Sequence, residues 1–244
     1  MRLFIIKFYC CFIFFGAGFS QKLLIPMDQL QTDHLKAYGV AFWTLKNGEE
    51  VDWLLNYRGG SFMLNYNGIL ERELTIRGVY FEPINTAILT DIFAQIEENN
   101  MDMVLLEKLP KIAVYSPPNK QPWDDAVTLA LTYAEIDYEV IFDKEVLSDK
   151  LEDYDWLHLH HEDFTGQYGK FYKNYHNAAW YKNMEMQFNA TANKFGFPSV
   201  HELKKQIAAK IKSYIQNGGF LFAMCSATDS FDIALAAQNV DIAS

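Results

Sequence analysis

The sequence predicts an exported α/β protein whose larger part is a doubly wound parallel sheet. Three observations predict it. Residues 1 to about 20 have the layout of a secretory signal peptide. From about residue 111 onward, apolar runs of strand length alternate with helical patterns at the spacing of βαβ units. Of the chain's three cysteines only Cys225 lies beyond the leader. An ordinary core, rather than a disulfide framework, must therefore hold the fold.

In the leader, Arg2 and Lys7 supply the positive end and an apolar stretch runs to Phe15. That stretch is too short to span a bilayer as a helix and it ends in small residues. Gly18 and Ser20 fit the −3 and −1 positions of a cleavage site before Gln21. The competing reading is an uncleaved anchor. Cys10 and Cys11 lack the small residues that a lipoprotein site needs just before its cysteine. No later segment is long and apolar enough to cross a membrane, so no stable span is predicted after cleavage. Loss of Arg2 and Lys7 takes the basic residues from 21 to 19 against 31 acidic ones, a mature charge of −12. So acidic a chain does not track phosphate backbones, which excludes nucleic acid as a partner. The remaining 224 or so residues suffice for a core.

Residues 21–110 read as an N-terminal α/β unit. Lys22–Met27 is a short apolar strand. Thr32 or Asp33 caps a helix through Leu35, Tyr38, Phe42 and Leu45, which Asn47-Gly48 stops. Val51–Tyr57 reads as a strand, Thr75–Glu82 as another, and Ile88–Glu98 as a helix. Between them, Arg58-Gly59-Gly60-Ser61 is either a plain turn or a weak candidate for anion binding.

Residues 111–244 carry the clearer pattern. Lys111–Tyr115 is a buried-type strand ended by Ser116-Pro117-Pro118-Asn119. Pro122 can open a helix, since its missing N–H is not needed there. Asp124 and Asp125 favour that helix's first turn. Tyr138–Phe142 and Tyr154–His161 are the next two strands. An aromatic-rich insertion follows at 164–198, with ten aromatic residues from Phe164 to Phe197. It is too long for an ordinary connection. It reads as an inserted helical pair packed through its own rings, or as a lid or sugar-stacking surface. Ser199 and Glu202 then form a capping-box pair. Leu203, Ile207, Ile211 and Ile215 give one apolar face, and Asn217-Gly218-Gly219 stops the helix. Phe220–Met224 is the fourth strand, and Asp229–Ala237 begins another helix. With no closing strand after it, the sheet reads as C-terminally truncated, a fragment of a longer protein.

Two groups of residues could carry chemistry. Cys225 sits at a strand-to-helix turn with small Ala223 and Ala227 two residues either side, the layout that exposes a nucleophile. Its bland alternative is a buried, inert cysteine. The run His158–Asp163 ends the third strand, where open α/β sheets bind ligands. Alternation places His158 and His160 on one strand face and His161 on the other. Two imidazoles beside a carboxylate could hold a divalent metal or act as acid and base. We assign Cys225, His160 and His161 to catalysis and Glu162, Asp163 and Ser226 to ligand binding, with no metal. The sequence names no cofactor. The predicted partner is a small molecule, glycan or peptide at the carboxyl edge of the sheet.

The segment Gly218-Gly219-Phe220-Leu221-Phe222-Ala223-Met224-Cys225-Ser226-Ala227 resembles the class I glutamine amidotransferase-like fold, where a helix ending in Gly-Gly feeds a strand that presents a cysteine. The stretches Trp53-Leu54-Leu55-Asn56-Tyr57-Arg58-Gly59-Gly60-Ser61-Phe62 and Trp156-Leu157-His158-Leu159-His160-His161-Glu162-Asp163-Phe164-Thr165-Gly166 look like those of an exported bacterial family often called asparagine synthetase B. The residues of glutamine-dependent asparagine synthetases have no counterpart. Position 2 is Arg2 instead of the N-terminal cysteine. Neither Arg58-Gly59-Gly60-Ser61 nor Ser226-Ala227-Thr228-Asp229-Ser230 is the S-G-G-x-D-S loop for ATP. The resemblance therefore implies a Cys-dependent amidase or hydrolase, or its inactive descendant. The rival is a non-catalytic binding or assembly module for carbohydrate or protein.

Cleavage after Ser20 predicts a mature N-terminus at Gln21. Intact-mass spectrometry of the exported protein should show it, and a predominant Met1 terminus would refute it.

Overall fold

The computed structural model describes residues 22–117, 126–166 and 169–240. The leader at 1–20 and the helix start at Pro122, Asp124 and Asp125 lie outside the described residues. In chain order the elements are β1 (Lys22–Ile25), α1 (His34–Lys46), β2 (Val51–Leu55), β3 (Ser61–Asn65), α2 (Gly68–Arg77), β4 (Glu82–Ile84), α3 (Thr86–Glu98) and β5 (Asp102–Leu106). They continue with β6 (Ile112–Tyr115), α4 (Ala126–Ala134), β7 (Glu139–Ile141), α5 (Asp143–Leu147), β8 (Trp156–Leu159), α6 (Gly169–Tyr175), α7 (Ala179–Lys194), α8 (Val200–Gln216), β9 (Phe220–Ala223) and α9 (Ser226–Ala236). The chain is mixed α/β, with a five-stranded antiparallel sheet and a separate four-stranded parallel one. It divides into two units, one running to Thr32 and over Glu49–Leu106, the other holding Asp33–Gly48 and everything from Glu107.

The first unit orders its strands β4-β1-β3-β2-β5, every pairing antiparallel. Its core gathers Leu24, Leu54, Met63, Ile84, Ile92 and Ile96. The strand predicted at Thr75–Glu82 is instead the last turn of helix α2 to Arg77, followed by irregular chain up to Glu82. Asn67 caps α2 by accepting the Leu70 N–H at 2.7 Å, and Gly78 ends it in the left-handed conformation. Leu70 and Leu74, four apart, bury on one side. Only Glu82–Ile84 reaches the sheet, against β1. The Arg58 turn is structural. The guanidinium grips Glu82 at 2.9 and 3.0 Å and Asp28 at 2.7 Å, so two carboxylates already face its charge. Asn56, Arg58, Gly59 and Gly60 all take positive φ in the bend.

In the second unit, the parallel sheet runs β7-β6-β8-β9. The chain starts at β6, steps one way to β7, then crosses back to β8 and β9. That order puts the switch point beside β6 and lines up the carboxyl ends of β6, β8 and β9 on one edge. The aromatic insertion is a helical pair. Phe171, Tyr175 and Trp180 pack ring against ring at centroid separations of 5.3 to 6.4 Å. Helix α8 buries Leu203, Ile207 and Ile211 as predicted, but the stripe turns toward Tyr214 and leaves Ile215 39% exposed.

Helix α1 belongs with this unit because it packs on α4. Asp33 caps it, accepting the Lys36 N–H at 3.0 Å and the Tyr133 hydroxyl. The contact is closest at Gly39, where an added Cβ would stand 1.9 Å from the Ala134 carbonyl oxygen.

Gly39→Ala should therefore destabilise the protein in a urea titration, although in an open helix the same change adds about 1 kcal/mol. Equal or greater stability would show that the α1–α4 contact is loose.

Candidate functional site

The site is built by neighbouring parallel strands. Strand β8 pairs with β9 in the register Leu159↔Ala223. Just past the ends of these two strands the chain carries His160 and His161 on one side and Cys225 on the other. The donor atoms of His160, His161 and Cys225 all lie within 4.8 Å of one another. The structure thus brings together the three residues that the sequence assigned to chemistry.

The turn between β9 and α9 presents the thiol. Cys225 has φ 55 and ψ −140, a backbone conformation that residues with a Cβ rarely adopt. Such a conformation costs on the order of 1–3 kcal/mol and persists only where its surroundings impose it. They do so here through four successive carbonyls. Leu159 O accepts the Met224 N–H at 3.1 Å and His160 O accepts the Ala227 N–H at 3.2 Å. His161 O accepts the Ser226 hydroxyl at 2.9 Å, and Glu162 O accepts the Ser230 hydroxyl at 2.7 Å. The loop after β8 is thereby laced to the turn after β9 on both sides of Cys225. Ala227 is fully buried within this lacing.

The thiol is solvent-exposed and does not cap α9. It stands at the positive end of that helix, where a negative charge gains about 0.3–1 kcal/mol. Asp229 in the first turn opposes this. Sequence alternation placed His161 on the strand face opposite His160. Instead the two imidazoles stack, with centroids 3.5 Å apart and planes at 27°. The reason is that β8 stops at Leu159, so the two-residue alternation no longer applies. His158, still inside the strand, is buried and stacks on Phe222 at 5.4 Å.

The residues predicted to bind ligand make hydrogen bonds within and around the loop. Glu162 accepts the His160 N–H at 3.0 Å. Asp163 accepts both the N–H and the hydroxyl of Thr165, at 2.8 and 2.5 Å. Ser226 serves the lacing. Beyond them the loop turns at Gly166 with φ 74, where a Cβ would stand 2.8 Å from the His201 backbone.

Beside this loop lies a buried ionic group that the sequence reading missed. Lys204 of α8 donates to Asp143 at 2.7 Å and to the Tyr115 hydroxyl at 2.9 Å, and Tyr115 also donates to Asp143. All three are at most 4% exposed in their side chains or residues. Burial pushes the Tyr115 phenol well above its usual range, and the charges of Asp143 and Glu162 push it further. The ammonium of Lys204 also lies 4.4 Å from the Phe142 ring centroid. Removing Lys204 or Asp143 strands the other's buried charge, at a cost of about 3–5 kcal/mol. Its sequence signal is faint: a lysine one step from Leu203 on an apolar helix face.

A groove of about 790 Å³ opens at the other edge of the sheet, lined by Tyr154, Asp155, Lys210, Tyr214 and Gly218 among others. We place the site at Cys225 because the groove lining holds neither thiol nor imidazole. No family model matches the chain, and no curated protein or solved structure matches it.

If the strain at Cys225 is held for presentation of its side chain, Cys225→Gly should stabilise the protein by about 1 kcal/mol, since glycine adopts positive φ freely. Cys225→Ala should give no such gain. Urea unfolding of both variants checks this, and equal stabilities would refute the strain.

Proposed function

We propose that the chain is an exported amidotransferase-like α/β protein in which Cys225, served by His160 and His161, acts on an amide or related acyl group. The observation that carries the reading is the gathering of an exposed thiol and two imidazoles around a strained strand-to-helix turn. Geometry of this kind activates a nucleophile by placing a base within a side-chain rotation of it. One imidazole takes the thiol proton as sulfur attacks the carbonyl carbon. It returns the proton to the leaving amine, and water then hydrolyses the thioester. The strand order around β6 agrees with the class I glutamine amidotransferase-like resemblance. The substrate would be a small molecule, glycan or peptide reaching the carboxyl edge. Export follows from the leader sequence.

The binding-module reading draws on a separate observation. On the inserted helices Tyr172 is 60% and Tyr175 44% exposed, beside Trp180. Exposed rings of this kind can stack on a sugar face.

Iodoacetamide labelling distinguishes the two in a chain with Cys10 and Cys11 changed to Ser. At neutral pH native Cys225 should react about tenfold faster than in the unfolded chain, the gain an imidazole partner gives a thiol. His160→Ala or His161→Ala should remove most of that gain. A native rate no faster than the unfolded one, unchanged by either substitution, would refute the nucleophile and favour the binding module.

A further inference from the structure

We propose that His160, His161 and Cys225 also form a binding site for one borderline-soft divalent cation of the zinc type, which holds the thiol in a blocked state. The argument starts from the donor set. Two imidazole nitrogens and one sulfur are the ligands that zinc selects, whereas magnesium and calcium need an oxygen cage. The carboxylates of Glu162 and Asp163, in the loop that bears the two imidazoles, are engaged with backbone N–H groups of that loop.

Distance is the second element. The three donor atoms lie within 4.8 Å of one another. Around a tetrahedral zinc, with bonds of about 2.0–2.3 Å, donors stand about 3.3–3.6 Å apart. No pair needs to close by more than about 1.5 Å, which side-chain rotations provide. Three protein donors leave the fourth position to water, so such an ion would be exchangeable and not locked in a closed structural site.

The third element is preorganisation. His160 and His161 are adjacent in sequence, and their rings already stack. The backbone bearing them is laced to the residues flanking Cys225 by the Leu159, His160, His161 and Glu162 carbonyls. Folding has therefore already ordered the backbone that carries the donors, and side-chain rotation completes the coordination geometry. On binding, the S–H bond breaks, its proton leaves to solvent, and a metal–sulfur bond forms with no change of oxidation state. A thiolate so bound is shielded from electrophiles. This site needs only the closeness of three donors, not the nucleophilic role of Cys225, so either can fail without the other.

The test uses the full chain with Cys10→Ser and Cys11→Ser, freed of metal by chelation. Equilibrium dialysis should give one zinc per chain. Cobalt as a spectroscopic probe should give a sulfur-to-metal charge-transfer band with visible bands of tetrahedral intensity. Zinc should slow iodoacetamide labelling in proportion to site occupancy. Cys225→Ser should abolish the charge-transfer band. His160→Ala and His161→Ala should each weaken zinc binding by more than about tenfold, the least that loss of even a residue behind a ligand costs. Circular dichroism verifies that each variant is folded, and the cobalt spectrum of the unsubstituted site stands whether or not they are. Absence of the charge-transfer band, or zinc binding unaffected by Cys225→Ser, overturns the proposal. Rapid labelling of the metal-free protein together with either of those results would leave the thiol chemistry standing and remove the metal site alone.

Discussion

Four consecutive backbone carbonyls, from Leu159 to Glu162, are engaged by Met224, Ala227, Ser226 and Ser230. This lacing is the constraint on which the site depends. It extends the β8–β9 pairing past the ends of both strands, where the regular ladder would otherwise fray. It also satisfies backbone groups that would be costly to leave unpaired as the loop folds inward. Two of the four donors are the hydroxyls of Ser226 and Ser230. The strained backbone of Cys225 and the stacked imidazoles are both held between its rungs.

The buried group of Tyr115, Asp143 and Lys204 anchors the same edge from beneath. Tyr115 ends β6, Asp143 opens α5 just after β7, and Lys204 descends from α8. Phe164, in the loop after His160 and His161, stacks on Tyr115 at 5.3 Å. Phe188 of α7 closes over Phe142 at 5.7 Å. A charged pair so deep is weak evidence of stability in itself, because desolvation offsets much of its attraction. Its effect is directional: it fixes where three elements meet, and so where the loop bearing His160 and His161 can lie. The inserted helices α6 and α7 join this arrangement through α7, while the exposed rings of Tyr172 and Tyr175 face solvent.

The two units show how differently local patterns constrain a fold. In the second, the strands are short apolar runs and the helices α4, α8 and α9 fall where the sequence placed them, so these elements and their order were readable, whereas α5 went unpredicted. In the first, the predicted strand at Thr75–Glu82 was helix to Arg77, and β3 and β5 went unpredicted. Asn67 as a cap and Gly78 as a stop were both present in the sequence. The apolar Ile76 and Val79 outweighed them in a short window, although Ile76 is 67% exposed. Antiparallel pairing also leaves no signature in strands of three to five residues with mixed burial.

The sequence by itself determined the strands of the second unit, its helices α4, α8 and α9, and the residue types that follow β8 and β9. These follow from local rules: apolar runs, caps, glycine stops, and a cysteine between small neighbours. Only the tertiary structure decided that β9 lies beside β8, and that the donor atoms of His160, His161 and Cys225 come within 4.8 Å of one another. It also decided that the two imidazoles face each other once β8 ends, and that Lys204 turns inward to Asp143. Each of these depends on residues far apart in the chain, 61 positions in the last case. A pairing of that kind is fixed by the packing of whole elements, and no period or spacing within one element records it.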